Sequence, residues 1–209
     1  MTLAVACLGW GSLIWKPANH PGAPLEAHGV RAGLVEAGGT WHDDGPDLPL
    51  ELARSTRAIE ADELYPSWVL LPGSPASTTL WAPLDLPEEV GTDRDRALLH
   101  AARALATREG TDVSRIGRWP IEAAASAETE IIAAWADEHR IDAVVWTALP
   151  PRWHDAERAP TLDEVLALLR DLAARKAASH AEQYIRATPR QITSPFRAAI
   201  ERELGWTPR

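Results

Sequence analysis

A single cysteine, Cys7, leaves this chain of 209 residues no internal disulfide and no thiol pair for a sulfur-ligated metal. A lone thiol inside an apolar run suits a reducing compartment. Phenylalanine occurs once and tyrosine twice, so the ten tryptophans are expected to fill the core in their place, some of them walling a pocket. No apolar run approaches the ~18 residues of a membrane helix. The stretch from Leu3 to Leu8 is too short for a secretion signal and has no basic segment before it. A cytoplasmic protein with no membrane partner is expected. Basic residues are outnumbered, 21 against 30 acidic, giving a net charge of −9 without any basic run. No nucleic-acid partner is expected, because phosphate binding draws on clustered Lys and Arg.

With 45% hydrophobic and 24% charged residues the chain can bury a substantial core. One domain over residues 1–209, with long loops, is expected. Thr2 to Leu8 predicts a buried strand ending at Gly9. Lys16 to Pro24 and Asp43 to Pro49 are rich in turn formers. Leu48, Leu50 and Leu52 alternate as on a half-buried strand. Trp68–Leu71 and Thr78–Ala82 predict two more strands, separated by the turn Pro72-Gly-Ser-Pro75. The first half thus reads as antiparallel and β-rich.

Beyond residue 90 the pattern turns helical. Leu98, Ala101, Ala102 and Leu105 form one stripe of a helix from Asp93 to Glu109, stopped by Gly110. Helices are also predicted over 128–139, over 161–178 with Thr161 and Glu164 in capping-box spacing, and over 193–204 before Gly205. Asp142 to Ala148 is the strongest strand signal. The segment Tyr184-Ile-Arg-Ala-Thr-Pro-Arg-Gln191 is polar and proline-broken, placed either to cover a pocket or to salt-bridge through Arg186 and Arg190. The fold class is α+β.

Two segments carry possible chemistry. In Gly9-Trp10-Gly11-Ser12-Leu13, two glycines permit positive φ and close approach of a ligand. Successive amides there can form an anion-binding nest, and Ser12 adds a hydroxyl. The spacing alone favours an ordinary tight turn. It is neither GxGxxG nor GxSxG, so no dinucleotide fingerprint or nucleophile elbow is implied. In Thr107-Arg-Glu-Gly110, Glu109 closes a helix and faces the negative end of its dipole, which favours the protonated carboxyl. Alone, it reads as a surface residue paired with Arg108 or Arg103. Trp41-His-Asp-Asp44 is better explained by turn-forming aspartates than by metal ligation. No metal and no cofactor are expected.

Taken in order, these motifs resemble those of the γ-glutamylcyclotransferase superfamily, nearest its ChaC-like branch. The resemblance rests on Gly9-Trp-Gly-Ser-Leu-Ile-Trp15 with Lys16-Pro17, on Leu80-Trp-Ala-Pro-Leu-Asp-Leu-Pro87, and on Leu105-Ala-Thr-Arg-Glu-Gly110. Looser counterparts are the 143–148 strand and Ala181-Glu-Gln-Tyr184. It implies a small mixed β-barrel or sheet with surrounding helices. It further implies that the loop amides of Gly11, Ser12 and Leu13, beside Trp10, bind a small γ-glutamyl substrate. Glu109 becomes the general acid/base, and Arg54 or Arg57 a partner for a substrate carboxylate. The chain departs from the family where Trp10 replaces the usual tyrosine and where only Arg54-Ser-Thr-Arg57 represents an arginine- and serine-rich stretch. Two further readings stay open. One is a divergent or inactive relative that binds a small amino-acid-like anion; the other is a protein-interaction module presenting its tryptophans.

Overall fold

Leu48, Leu50 and Leu52 are fully buried, as their spacing predicts, but Glu51 and Ala53 are buried too, so the strand is enclosed on both faces from Leu50 to Ala53 and not half-buried. The computed structural model describes residues 3–15, 41–58, 63–90, 92–120, 126–175 and 179–209. The turn-rich segment expected at 16–24 lies outside them. The described chain is α+β and packs as two compact units.

The first unit comprises residues 1–9, 16–47 and 78–148. Its sheet holds β1 (Val5–Gly9), β5 (Leu80–Pro83), β6 (Ile116–Trp119) and β7 (Ala143–Thr147), in the order β5-β1-β7-β6. β1 pairs antiparallel with β5, as β2 does with β3, the arrangement expected of the first half; its other partner, β7 from the second half, runs parallel, so the sheet is mixed. The cause is position. β1 and β7 are the two central strands, buried along nearly their whole length, and continuous apolar runs such as Val5-Ala-Cys-Leu8 suit that place. Gly117 on β6 has a packing reason. A Cβ there would come within 2.1 Å of the Trp146 indole, which lies across the strand.

Helix α2 (Arg94–Glu109) packs on β7 and β6, and α3 (Ala127–His139) packs on the same two strands. α2 begins where Asp93 accepts the Arg96 N–H, and it ends where Gly110 turns left-handed at φ 61° and returns its N–H to Ala106 and Thr107. Its inward face is mostly alanine, small enough for close approach to the sheet.

The second unit comprises residues 10–15, 48–77 and 149–209. Its sheet, ordered β3-β2-β4, contains β2 (Asp47–Ala58), β3 (Glu63–Leu70) and β4 (Ala76–Thr78). β2 carries one extra residue against β3: the three steps from Glu51 to Arg54 face the two from Val69 to Ser67. Helices are α1 (Ser12–Trp15), α4 (Leu162–Ala174), α5 (Ser179–Ala187) and α6 (Pro195–Leu204). The Thr161–Glu164 capping box is formed, and Val165, Leu166, Leu169 and Leu172 are buried as their spacing predicts. Ser194 caps α6, and Gly205 ends it at φ 69°. Arg197 is buried, and its guanidinium donates to the carbonyls of Thr188, Pro189 and Ile192, tying down the turn between α5 and α6.

Among the described residues the strands form two open sheets and no closed barrel, which corrects the barrel half of the expected architecture. The seven strands divide between two units, so neither set has enough strands to close on itself. No described helix is long and apolar enough to cross a membrane. Six of the ten tryptophans are buried and the other four half-buried, so indole does replace phenylalanine in the cores.

Candidate functional site

Gly9 ends β1 and opens the expected binding loop, which the next four residues complete. In the second unit, Trp10 is buried, and Gly11 passes directly into the helical turn α1, where the Ile14 N–H bonds the Gly11 carbonyl at 3.1 Å. Neither Gly9 nor Gly11 has positive φ, so the loop is not the left-handed nest that two glycines suggested. Gly11 is required for space. A Cβ there would stand 2.7 Å from the Tyr184 hydroxyl. The amides of Ser12 and Leu13 precede the first hydrogen-bonded amide of the turn and lie at its N-terminal end.

Glu109 is the last residue of α2, in the first unit. Its side chain is 19% exposed, and Arg108 Nη1 approaches Oε1 at 3.9 Å. The carboxylate is therefore held at the edge of the unit rather than dispersed in solvent. Its charge reaches Cys7, in the middle of β1 in the same unit. Burial pushes the Cys7 thiol far up, the Glu109 charge pushes it further, and Arg108 opposes both.

Arg54, expected to meet a substrate carboxylate, is half-buried on β2, and its Nη1 donates to the Pro150 carbonyl at 2.9 Å. Arg57 is exposed on the same strand. Trp10, Gly11, Ser12, Leu13 and Arg54 thus belong to the second unit, and Glu109 to the first.

No protein-family model matches the chain, and no similar protein was found among curated proteins or solved structures. The functional reading therefore rests on the residues themselves.

Trp41-His-Asp-Asp44 has a structural role in the first unit. Asp44 accepts the Trp81 indole N–H at 2.8 Å and faces His139 Nε2 at 3.4 Å, while its carbonyl accepts the Trp135 indole N–H at 2.8 Å. The Trp81 bond, with His139 adding to it, holds the Asp44 carboxyl below its usual range. His42 stacks on Trp81 with ring centroids 4.4 Å apart. This is a polar clasp fastening residues 42–44 to β5 and α3. In the second unit an open groove of about 600 Å³ runs past Trp153, His154, Arg158, Glu164 and Leu168. None of the expected site residues lines it, and its Arg158 and Glu164 neutralise each other at 2.5 Å.

In the sequence Tyr184 belongs only to a loose C-terminal counterpart, and no local feature connects it with the loop. Residues 179–187 are helical, contrary to the proline-broken segment expected from 184 onward; Pro189 falls just after the helix, where it stops the chain without breaking a turn. That helix carries Tyr184 inward, 5% exposed, to Tyr65, Trp15 and Gly11. The available signal was scarcity: the chain has two tyrosines, and their rings lie 5.1 Å apart.

Proposed function

We propose that the chain is a γ-glutamyl cyclotransferase-type lyase, releasing 5-oxoproline and an amine from a small γ-glutamyl compound. The observation that carries this reading is the place of Glu109, a partly buried carboxylate at the end of α2, electrostatically coupled to Cys7 on the strand that runs into Gly9–Leu13. The motif resemblance supports it, and a γ-glutamylcyclotransferase-like fold in a cytoplasmic setting belongs to the same reading.

The reaction needs no protein nucleophile. The substrate's α-amine attacks its own γ-carbonyl; a ring C–N bond forms, the γ-amide C–N bond breaks, and the two protons that the α-ammonium loses in becoming the lactam N–H end on the leaving nitrogen, which departs as an ammonium. Folding the substrate so that amine and carbonyl meet supplies the proximity. One carboxylate that takes the two protons in turn, the first before attack and the second from the tetrahedral intermediate, and hands each to the leaving nitrogen completes the balance, and Glu109 has that role. The amides of Gly11, Ser12 and Leu13 bind the γ-glutamyl group and the developing oxyanion.

A second reading, a binder of small amino-acid-like anions without turnover, is favoured by one observation: Arg54 commits an N–H to the Pro150 carbonyl. A protein-interaction module has less support, since none of the tryptophans is exposed. Incubation with glutathione, γ-glutamyl dipeptides and γ-glutamylamines, followed by quantification of 5-oxoproline, separates these readings. Product from at least one class supports the lyase. Saturable binding of γ-glutamyl compounds or 5-oxoproline without product supports the binder.

A further inference from the structure

The extra residue in β2 has a consequence for the loop. Because Glu51 to Arg54 spans one residue more than Val69 to Ser67, Trp68 sits at the irregular step of the ladder, and its backbone N–H turns to the Tyr184 hydroxyl at 3.2 Å. The Trp68 indole N–H reaches Thr188 at 3.2 Å, and the Thr188 hydroxyl donates to the Tyr184 carbonyl at 2.9 Å. Tyr184 is thus tied to β3 through its hydroxyl and through the residue one helical turn on. Its ring is flanked by Tyr65 at 5.1 Å and by Trp15 at 6.2 Å, the latter edge-on from the end of α1. The hydroxyl so held lies against Gly11, leaving no room for a Cβ.

We propose that Tyr184 is the positioning residue of the Gly11–Leu13 loop. Anchored on the β2 irregularity, its phenol sets how closely the Gly11 backbone can approach the sheet, and hence where the Ser12 and Leu13 amides stand. Position 11 is glycine because of Tyr184. The effect on substrate binding rests on the function proposed above; the effect on the loop does not.

Two measurements test the loop directly. In a thermal double-mutant cycle, Gly11→Ala is expected to lower Tm by about 5 °C in the wild-type background, since the added methyl collides with the hydroxyl. In the Tyr184→Phe background the same substitution is expected to cost less than half as much, because the nearest remaining ring atom, Cζ, is 3.5 Å away. Equal losses in both backgrounds would overturn the proposal. If Gly11→Ala fails to fold, amide hydrogen exchange of Tyr184→Phe decides. Exchange at Ile14, whose N–H bonds the Gly11 carbonyl, should quicken about tenfold while that of α6 is unchanged, and unchanged exchange at Ile14 would overturn the proposal. With a substrate in hand, Tyr184→Phe should raise KM more than it lowers kcat; a fall in kcat alone would contradict a positioning role. Absence of turnover in the wild type refutes the lyase reading but leaves both loop measurements standing.

Discussion

At the scale of single residues, burial sets the chemistry of Cys7 and Glu51, and it does so with opposite visibility in the sequence. Cys7 lies in an apolar run, so a buried thiol was legible. The neighbour that reinforces its protonation, Glu109, is about a hundred positions away and was not. The thiol should resist a disulfide reagent at about pH 8 in the folded protein and react promptly in denaturant; rapid labelling of the native chain would contradict its placement. Glu51 gave no signal, since an acidic residue in an alternating strand reads as the solvent face. It is nonetheless 2% exposed, accepts hydrogen bonds from Ser194 and Leu52, and has its carboxyl raised by burial against those bonds. A raised folded-state value means the folded chain holds the proton more firmly than the unfolded chain. That stabilisation is complete below the ordinary glutamate range and is lost as pH rises through the raised value. Glu51→Gln cannot ionise. In unfolding titrations it should therefore gain on the wild type between about pH 4 and pH 7, and a difference that is flat or falling across that interval would refute the assignment. Gly11 shows the same limit. The glycine was visible, but its cause, a tyrosine hydroxyl from the far end of the chain, was not.

At the scale of elements, the strongly periodic and well-capped segments were the legible ones. Asp93 and Gly110 bound α2, the Thr161 box opens α4, and Gly205 closes α6, each where side-chain chemistry alone had put it. Short elements without such markers were missed. α1 has four residues, too few for its spacing to differ from a turn; β6 has four and contains a glycine. α5 was masked by the polar character of its C-terminal turn, although its Tyr184 and Ile185 are buried. The N-terminus of α6 offers an element-scale test. Ser194 accepts the Arg197 N–H at 3.1 Å and donates to Glu51 at 2.5 Å. Ser194→Ala should cost about 1–2 kcal/mol, read as a lower denaturant midpoint with an unchanged slope. The loss should be larger at pH 7 than at pH 4, because removing a donor penalises the ionised Glu51 most. A loss independent of pH would place the Glu51 carboxylate elsewhere.

At the scale of the whole molecule, the composition foretold an α+β chain with indole-filled cores. It did not foretell the division into two units, because each unit is assembled from separate stretches of sequence and no linker marks the change. The pairing of β1 with β7 illustrates the reason. Two strands some 130 residues apart become parallel neighbours through burial on both sides, a long-range outcome that local spacing does not encode. The candidate site was legible to the same degree. Local chemistry selected the glycine loop and the helix-ending glutamate, while the assignment of the loop to one unit and of the glutamate to the other had no local signal. The central claim is that Glu109 moves the proton in a cyclisation that frees 5-oxoproline. Its most direct test follows 5-oxoproline release with time for wild type and Glu109→Gln at equal folded concentration, on whichever γ-glutamyl compound the wild type consumes. The account predicts steady release by the wild type and a rate at least about 100-fold lower for the variant. Equal release by the two proteins, or none by the wild type from any γ-glutamyl compound, would contradict it.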